Sequence, residues 1–348
     1  MGSRSIFTYL RFSTVCLASL ALMVSCGRRG QTLDDGEEEP NPWSQVAGEA
    51  DGGWLLDAWG RASGDRVIVG GRPGEGLVLR GSGDTLSPDA LPESPGLLRG
   101  VQGFSDGTIV AVGEAGVILR WEGGQWQTEP SPTDQDLHGV WGPAPDTLWA
   151  VGGNGTDAGQ ATILHYREGA WEVVTLPPIA RTGVFAFYGV WGSASDDIYA
   201  VGQWGVILRF DGTAWEDLVN DGTEHLYRIW GTSSDDVVAV GGTDSATIAV
   251  WNGFLWRHTS FADLPGPARG VWSATRREAT LAVANGLVAT IDLYDLIVLS
   301  REAATEGVDF EALVGVRDDW LLAVGGNRSR GEETYMGAAF LRSLAPEE

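Results

Sequence analysis

Residue types that commonly do chemistry are unevenly represented in this chain. Its 348 residues include 47 Asp and Glu, four His, two Cys, and 23 basic residues that are all Arg. Paired carboxylates could hydrolyse a glycoside, but 47 acids supply too many candidates for the sequence to single out a pair. The chain has no Gly-Lys-Ser/Thr phosphate loop, no His-Glu-x-x-His and no Cys-x-x-Cys. The sequence therefore does not identify catalytic residues, and we expect no cofactor.

Two recurring patterns could bind ligands. Asp-rich turns at Ser195-Asp196-Asp197 and Ser234-Asp235-Asp236 could coordinate calcium, although Asp at such turns more often caps the backbone. Four arginines recur at what the sequence aligns as one strand position. A converging set would bind a carboxylate, whereas periodic placement favours a shared packing or surface role. We expect no metal site, and we expect the packing role for Arg80, Arg120, Arg209 and Arg342.

Cys26 is the residue for which the sequence predicts a covalent modification. Residues 1–14 carry two Arg and no acid, and a short apolar run over residues 15–24 precedes Ser25-Cys26. This is the layout of a secretory signal peptide, and the run is shorter than the ~20 apolar residues of a membrane-spanning helix. The ending Met23-Val24-Ser25-Cys26 resembles a bacterial lipobox, which implies cleavage before Cys26 and lipidation of its thiol. The alternative is an ordinary signal peptide cleaved elsewhere.

Composition then divides the chain into three parts. Residues 1–25 are the predicted signal peptide, residues 26–41 a lipidated Cys with an acidic flexible tether, and residues 42–348 the folded domain. A net charge of -24 leaves no basic patch for phosphates, so we expect no nucleic-acid partner. Gly27 after the predicted lipid site favours the outer membrane. We therefore expect a cell-envelope, outer membrane lipoprotein that is periplasmic or surface-exposed and contacts the membrane through its lipid.

The folded domain is a repeat of about 42 residues. Each copy has a three-residue anchor, a polar turn, and an apolar strand ending in a small residue, such as IYAVG from Ile198. Third and fourth apolar segments follow in most copies. Four-stranded antiparallel units of this length are typical of β-propeller blades. The sequence predicts an all-β, seven-bladed β-propeller whose anchors are centred on Trp59, Gln102, Trp141, Trp191, Trp230, Trp272 and Val314.

The seventh copy lacks a fourth strand, and the start of the domain can supply it. The segment Trp43-Ser44-Gln45-Val46 resembles Trp171-Glu172-Val173 of an internal fourth strand. We predict that this N-terminal strand completes the last blade and closes the ring, which removes the open edge of a linear array.

Hairpins are predicted between the third and fourth strands. Two-residue turns such as Asp211-Gly212 and Asn252-Gly253 would set Leu208 and Ala249 opposite the Trp that begins each fourth strand. The Trp residues of anchors and fourth strands are expected to fill the space between blades.

The segment VWGSASDDIYAVGQWGVILRFDGTAW, residues 190–215, carries a family resemblance. It resembles the repeat of exported propellers in myxobacteria and related deltaproteobacteria, and is similar to sialidase-like propellers of the photosystem II assembly factor type. WD40 repeats are a poorer match because their Gly-His and Trp-Asp signatures are missing. The assembly factors imply a binding scaffold. Sialidases on such a fold imply an Arg triad, a Tyr with a partner Glu, and an Asp acid/base, although Asp211-Gly212-Thr213 only approximates their structural Asp-box turn.

Loop lengths place the binding face. Connections between second and third strands, and between blades, emerge on one side, where segments 153–161, 242–246 and 326–337 are long. Variable loops on a rigid scaffold are where recognition usually resides. The predicted contacts are aromatic, Arg and polar side chains on these loops: Trp204, Asn154, Asp157, Arg181, Phe185, Asp244, Arg328, Arg330 and Tyr335.

Two functions follow as hypotheses. The first is a non-enzymatic, monomeric scaffold that binds a protein or glycan on the long-loop face. The alternative is an extracellular glycan-processing enzyme of sialidase or lyase type.

Overall fold

A computed structural model describes residues 41–48, 52–82, 85–93, 95–155, 160–316, 319–327 and 335–344. The predictions for the signal peptide, for Cys26 and for all of the tether but Asn41 lie outside these residues, as do those for Asp157, Arg328 and Arg330. Within them, no helix is long and apolar enough to cross a bilayer.

The described residues form seven four-stranded antiparallel sheets, as predicted. Blade 1 is β2 (Trp54–Gly60), β3 (Asp65–Arg72), β4 (Glu75–Ser82) and β5 (Thr85–Pro88); blade 2 is β6 (Leu98–Gly103), β7 (Ile109–Gly113), β8 (Ile118–Glu122) and β9 (Gln125–Thr128); blade 3 is β10 (Leu137–Ala144), β11 (Thr147–Gly152), β12 (Thr162–Arg167) and β13 (Ala170–Val173). Blade 4 is β14 (Phe187–Ala194), β15 (Asp197–Gly202), β16 (Ile207–Phe210) and β17 (Trp215–Asp217); blade 5 is β18 (Leu226–Ser233), β19 (Asp236–Gly241), β20 (Ser245–Trp251) and β21 (Trp256–Pro265). Blade 6 is β22 (Ala268–Trp272), β23 (Glu278–Val283), β24 (Leu287–Asp292) and β25 (Ile297–Ala303); blade 7 is β26 (Asp309–Val316), β27 (Trp320–Gly326), β28 (Gly337–Ser343) and β1 (Trp43–Ala47).

The first strand of each blade lines a central channel, a cavity of about 270 Å³. Second strands read as continuous apolar runs because blades cover both of their faces; β15, for example, is buried at every position. Separate hydrophobic clusters lie between neighbouring blades, and one joins Val151 of blade 3 to Ile198 of blade 4.

Anchor Trp rings pack over a glycine of the next blade. A Cβ at Gly192 would lie 2.7 Å from the Trp141 ring, and a Cβ at Gly231 would lie 2.5 Å from Trp191. The same contact joins Gly103 to Trp59 and Gly315 to Trp272. The glycine that follows the anchor is therefore required for close approach, and the expected role of the anchor Trp between blades is confirmed.

The ring closes as predicted. Strand β1 pairs antiparallel with β28, with Trp43 opposite Arg342. Trp43 is 5% exposed and belongs to the cluster between blades 6 and 7. Its Nε1 donates to Glu302 Oε1 at 3.0 Å. The closing strand thus contributes both backbone pairing and a buried side chain.

The predicted pairing of the third and fourth strands is wrong by two residues. Phe210, and not Leu208, lies opposite Trp215, and Trp251 lies opposite Trp256. Directly opposed aromatic rings explain this choice, because cross-strand aromatic pairs stabilise a hairpin and these ring centroids lie 5.6 and 5.7 Å apart.

Candidate binding face at the channel mouth

The recurring arginines do not converge. Arg80, Arg120 and Arg209 share one position in the third strand. Their partners in the second strand, Val67, Val110 and Tyr199, each lie three residues before a glycine. Each forms an ion pair within its own blade, with Asp89, Glu129 and Asp197 respectively. Contacts with aromatic rings of the next blade support the expected packing role. The guanidinium carbon of Arg80 lies 3.6 Å from the centroid of the Trp121 ring, and that of Arg120 lies 4.6 Å from the centroid of the Tyr166 ring.

Arg342 was aligned with these arginines, and that prediction is wrong. It lies opposite Leu321, four residues before Gly325, and so stands one position further along its strand. Arg342 pairs instead with Glu302 of blade 6, the carboxylate that also accepts from Trp43. The last copy of the repeat departs from the spacing of the others, so alignment of the sequence did not reveal this shift of one position.

The carboxylates of Asp197 and Asp236 in the Asp-rich turns accept hydrogen bonds from other side chains of the protein. Asp197 accepts from Ser193 Oγ and from Arg209 Nε, and Asp236 accepts from Ser233 Oγ. In the described residues, no three His, Cys, Asp or Glu side chains come together as potential metal ligands. These contacts agree with the turn-capping interpretation of the two sites.

The channel mouth collects one side chain from every blade. The third residue before each anchor lies near the start of its first strand, on the side of the blade-to-blade connections. This is the face that loop lengths predicted for binding. The ring consists of Leu56, Arg99, His138, Tyr188, Tyr227, Arg269 and Glu311, which surround a cavity of about 290 Å³ together with Arg228.

An ion pair crosses this mouth. At the next position of the first strands, five blades have Gly or Ala, but blade 1 has Asp57 and blade 5 has Arg228. Arg228 Nη2 lies 3.3 Å from Asp57 Oδ1 and donates to Leu56 O at 2.9 Å. Burial raises the pKa of Asp57, while the Arg228 charge and the Val101 N–H oppose that rise. Blades 1 and 5 are not neighbours, so this pair ties opposite sides of the ring.

Aromatic rings form an arc around one side of the mouth. His138 and Tyr188 have centroids 5.2 Å apart, and Tyr188 lies 5.3 Å from Tyr227. His225 continues the arc, with its centroid 4.6 Å from that of Trp204. We call these five residues the aromatic arc. It offers ring faces and edges next to guanidinium groups, the side chains that most often anchor interfaces.

The other charges of the mouth are partly compensated. Arg269 lies 3.6 Å from Glu311 and 4.3 Å over the Tyr227 ring, and Arg99 pairs with Glu114 and Asp136 at 3.4 and 3.5 Å. Three guanidinium groups at one opening contrast with the charge of -24 carried by the whole chain.

Trp204 is the predicted site residue that joins the arc. It has a left-handed backbone (φ 57) and is 49% exposed. Its backbone N–H donates to His225 Nδ1 at 3.0 Å, and its Nε1 donates to Gly183 O at 3.0 Å. Equivalent left-handed residues in blades 2 and 6, Ala115 and Asn285, donate instead to an Asp of the next blade.

The other described candidates are spread over the same face. Phe185 lies near Trp204, since a Cβ on Gly183 would contact both side chains. Asn154 Oδ1 accepts from Asp136 N, and Arg181 donates to Asn220 O at 2.6 Å. These residues brace loops of blades 3 and 4. The structure does not bring Asp244 and Tyr335 into this group: Asp244 O accepts from Gly266 N, and Tyr335 packs 4.7 Å from Trp54.

Sequence reasoning missed the mouth itself. His138, Tyr188, Tyr227 and Arg269 are residues of the first strands rather than of loops. Their common position, three residues before the anchor, was the signal in the sequence that could have identified them.

The sequence analysis also missed an apolar patch at the outer rim of blades 5 and 6, on the opposite face. Phe254 is 89% exposed there, with Leu255, Tyr294, Ile297 and Leu299 also exposed.

The stability of the mouth is expected to depend on pH through His138. Burial, reinforced by the Arg99 charge, lowers the pKa of His138 from its ordinary value of 6.5 to about 4. A lowered His pKa contributes stability above pH ~6.5 that is lost as the pH falls through ~4. His138→Gln keeps a donor toward Gly153 O, so it should reduce this acid-induced loss by roughly 2–3 kcal/mol. Urea titrations across this pH range measure the difference, and identical pH profiles for the two proteins would contradict the assignment.

Comparison with known proteins returns the fold. No protein-family model and no curated protein matches the sequence. YCF48 from Cyanidioschyzon merolae superposes with a TM-score of 0.64 at 15% identity, covering 86% of this chain and 98% of that one. A structure of YCF48 bound to D1 peptide gives 0.65 at 14%, covering 88% and 98%. The WD40 repeats of RRP9 give 0.68 at 12%, covering 86% and 97%. Identities this low show a shared β-propeller architecture, which WD40 structures share despite the missing signatures.

Proposed function

We propose that this protein is a non-enzymatic scaffold that binds a protein partner at the channel mouth. The observation that carries the proposal is the aromatic arc, which stands beside Arg228 and Arg269 on a rigid ring of first strands. Tyr, Trp and Arg supply most of the binding energy in protein interfaces. The structure of YCF48 bound to D1 peptide is a precedent for peptide binding by a similar fold. A glycan partner is the other outcome of the test below.

Truncation of two residues of the aromatic arc should strongly weaken binding of the partner. We expect Trp204→Ala combined with Tyr227→Ala to weaken binding at least about 100-fold, since two aromatic anchors each contribute ~2 kcal/mol or more. Pull-down from envelope extract and a glycan array, each followed by titration of the captured ligand, measure the effect.

The control is Phe254→Ser, which removes the most exposed aromatic side chain of the opposite face. It should leave capture unchanged. Capture that survives the double variant and is lost with Phe254→Ser would move the interface to the rim of blades 5 and 6. Retention only on the glycan array would replace the protein partner by a glycan.

We also propose that the scaffold is an exported lipoprotein of the myxobacterial repeat type, held at the outer membrane. The support is the signal-like N-terminus ending at Cys26 and the acidic segment that follows it. Cys26→Ser should move the protein from the membrane to the soluble fraction and abolish palmitate incorporation, because the variant lacks the predicted lipidation site, whose several acyl chains would anchor the protein. Palmitate labelling that persists in this variant would contradict the lipid assignment.

A specific observation keeps the enzymatic alternative open. Three Arg, two Tyr, Glu311 and Asp57 surround one opening, the residue types that the sialidase resemblance implies. Against it, Arg99, Arg228 and Arg269 are each already paired with an acid, so a substrate carboxylate would have to displace these partners. Release of sugar from a panel of acidic glycans, abolished by Tyr227→Phe, would favour the enzyme.

A further inference from the structure

A repeated three-residue unit joins the outer parts of neighbouring blades. At three junctions, the Trp at or near the start of a fourth strand donates its indole N–H to a carboxylate of the preceding blade. Trp126 donates to Asp89 at 2.9 Å, Trp171 donates to Glu129 at 2.6 Å, and Trp43 donates to Glu302. Arg80, Arg120 and Arg342 hold the three carboxylates. Three junctions, those between blades 1 and 2, 2 and 3, and 6 and 7, therefore place a carboxylate between an indole and a guanidinium.

The junction between blades 3 and 4 lacks this carboxylate, as does the junction between blades 4 and 5, where Trp256 Nε1 has no acceptor among the described residues. The backbone N–H of Asp89, Glu129 and Val174 each donates at 2.9 Å to the equivalent third-strand carbonyl, so Val174 occupies the carboxylate position. His165 occupies the arginine position, because it lies opposite Trp149, three residues before Gly152. Trp215 is the indole of this junction. The unit has kept its donor and lost its acceptor.

Three buried polar atoms are left without partners as a result. Trp215 Nε1, Trp149 Nε1 and His165 Nε2 make no hydrogen bond in the part of the chain that the structure describes. Trp215 is 7% exposed and Trp149 is 2% exposed. The His165 ring is stacked on the Trp149 ring with centroids 3.8 Å apart, so the edges of the two rings lie side by side. Buried donors without acceptors cost free energy that an incoming acceptor would recover.

The three side chains that carry these buried nitrogen atoms line one cleft of about 630 Å³. Its walls include the apolar side chains of Val174, Leu176, Pro177 and Phe210, and the Arg167–Glu172 ion pair stands at its lining as well. The volume lies within the range of sites that bind small organic molecules. The cleft is on a different part of the ring from the channel mouth.

We propose that this cleft binds a small monocarboxylic acid with an apolar body. The ligand carboxylate takes the place that Asp89, Glu129 and Glu302 occupy at three other junctions, and accepts from Trp215 and Trp149 Nε1 and from His165 Nε2 in its N–H tautomer. The apolar body packs on Leu176, Pro177 and Phe210. This site is independent of the proposed partner surface.

Phenylacetate is the probe for a test on the full chain. Its titration should shift the ¹H–¹⁵N indole resonances of Trp215 and Trp149. The indoles of Trp126 and Trp171 already donate to carboxylates, so their resonances should not move. The Trp256 resonance should not move either, because this indole N–H, which has no acceptor among the described residues, lies outside the cleft. Phenylacetamide, the neutral analogue, should bind about tenfold more weakly, the loss expected when hydrogen bonds are no longer charge-assisted.

Two variants exchange the features of the junctions. Val174→Glu supplies the missing carboxylate and should abolish the phenylacetate shifts, whereas Val174→Gln should only weaken them. Glu129→Val removes the carboxylate between blades 2 and 3, and phenylacetate should then shift Trp171 as well. If Val174→Glu does not fold, the titrations of the wild type and of Glu129→Val still test the proposal. Unshifted Trp215 and Trp149 resonances in the wild type, or equal affinity for the amide, would overturn the proposal.

Discussion

Deletion of residues 42–47 is expected to abolish the cooperative unfolding transition of the whole ring. Blade 7 would lose β1, which pairs with β28, and would lose Trp43 from the cluster between blades 6 and 7. Truncation of one buried Trp alone costs about 3–5 kcal/mol. Because a domain of this kind has only ~5–15 kcal/mol of stability, loss of the strand and the side chain together consumes most of it. Thermal unfolding followed by near-ultraviolet circular dichroism measures the effect.

The matched control is deletion of residues 27–39, an acidic segment of low hydrophobicity. It should leave the melting temperature unchanged. Trp43→Ala should give an intermediate loss, because it keeps the backbone pairing of β1. Equal melting temperatures for the two deletions would disprove closure by the N-terminal strand.

Arg228→Met is expected to destabilise the protein by about 3 kcal/mol, although both side chains of the pair with Asp57 keep some exposure. The change leaves a buried carboxylate without its counter-charge and removes the donor to Leu56 O across the channel. Arg228→Met with Asp57→Asn should recover at least half of the loss, since the amide carries no charge to desolvate. Urea unfolding of the four proteins of this double-mutant cycle measures the coupling energy.

The pH dependence of the single variant provides a second check. Burial already raises the pKa of Asp57, and removal of Arg228 should raise it further. A raised carboxyl pKa lowers stability above that pKa, and the penalty disappears as the pH falls through it. The deficit of Arg228→Met should therefore shrink at mildly acidic pH. A deficit independent of pH would show that Asp57 is not the cause.

The register errors show where sequence patterns lose precision. Asp-Gly and Asn-Gly steps indicated the third-to-fourth-strand hairpins, but the opposed Phe210–Trp215 and Trp251–Trp256 rings decided which residues pair. Cross-strand packing, which the turn residues do not encode, outweighed the local turn preference. Arg342 was misplaced for a related reason, because the last copy of the repeat departs from the spacing of the others.

The sequence by itself determined the number of blades, their strand order and the closing strand, because these depend on apolar runs and turn residues repeated at short range. Loop lengths also indicated a binding face, and Trp204, a residue predicted from those loops, is part of the aromatic arc through its contact with His225. Only the tertiary structure decided what stands at the channel mouth. Arg228 and Leu56 are 172 residues apart, and ring closure alone brings such positions together. The cleft with Trp215 likewise exists because two blades pack side by side, and no local pattern reports an acceptor missing from the neighbouring blade.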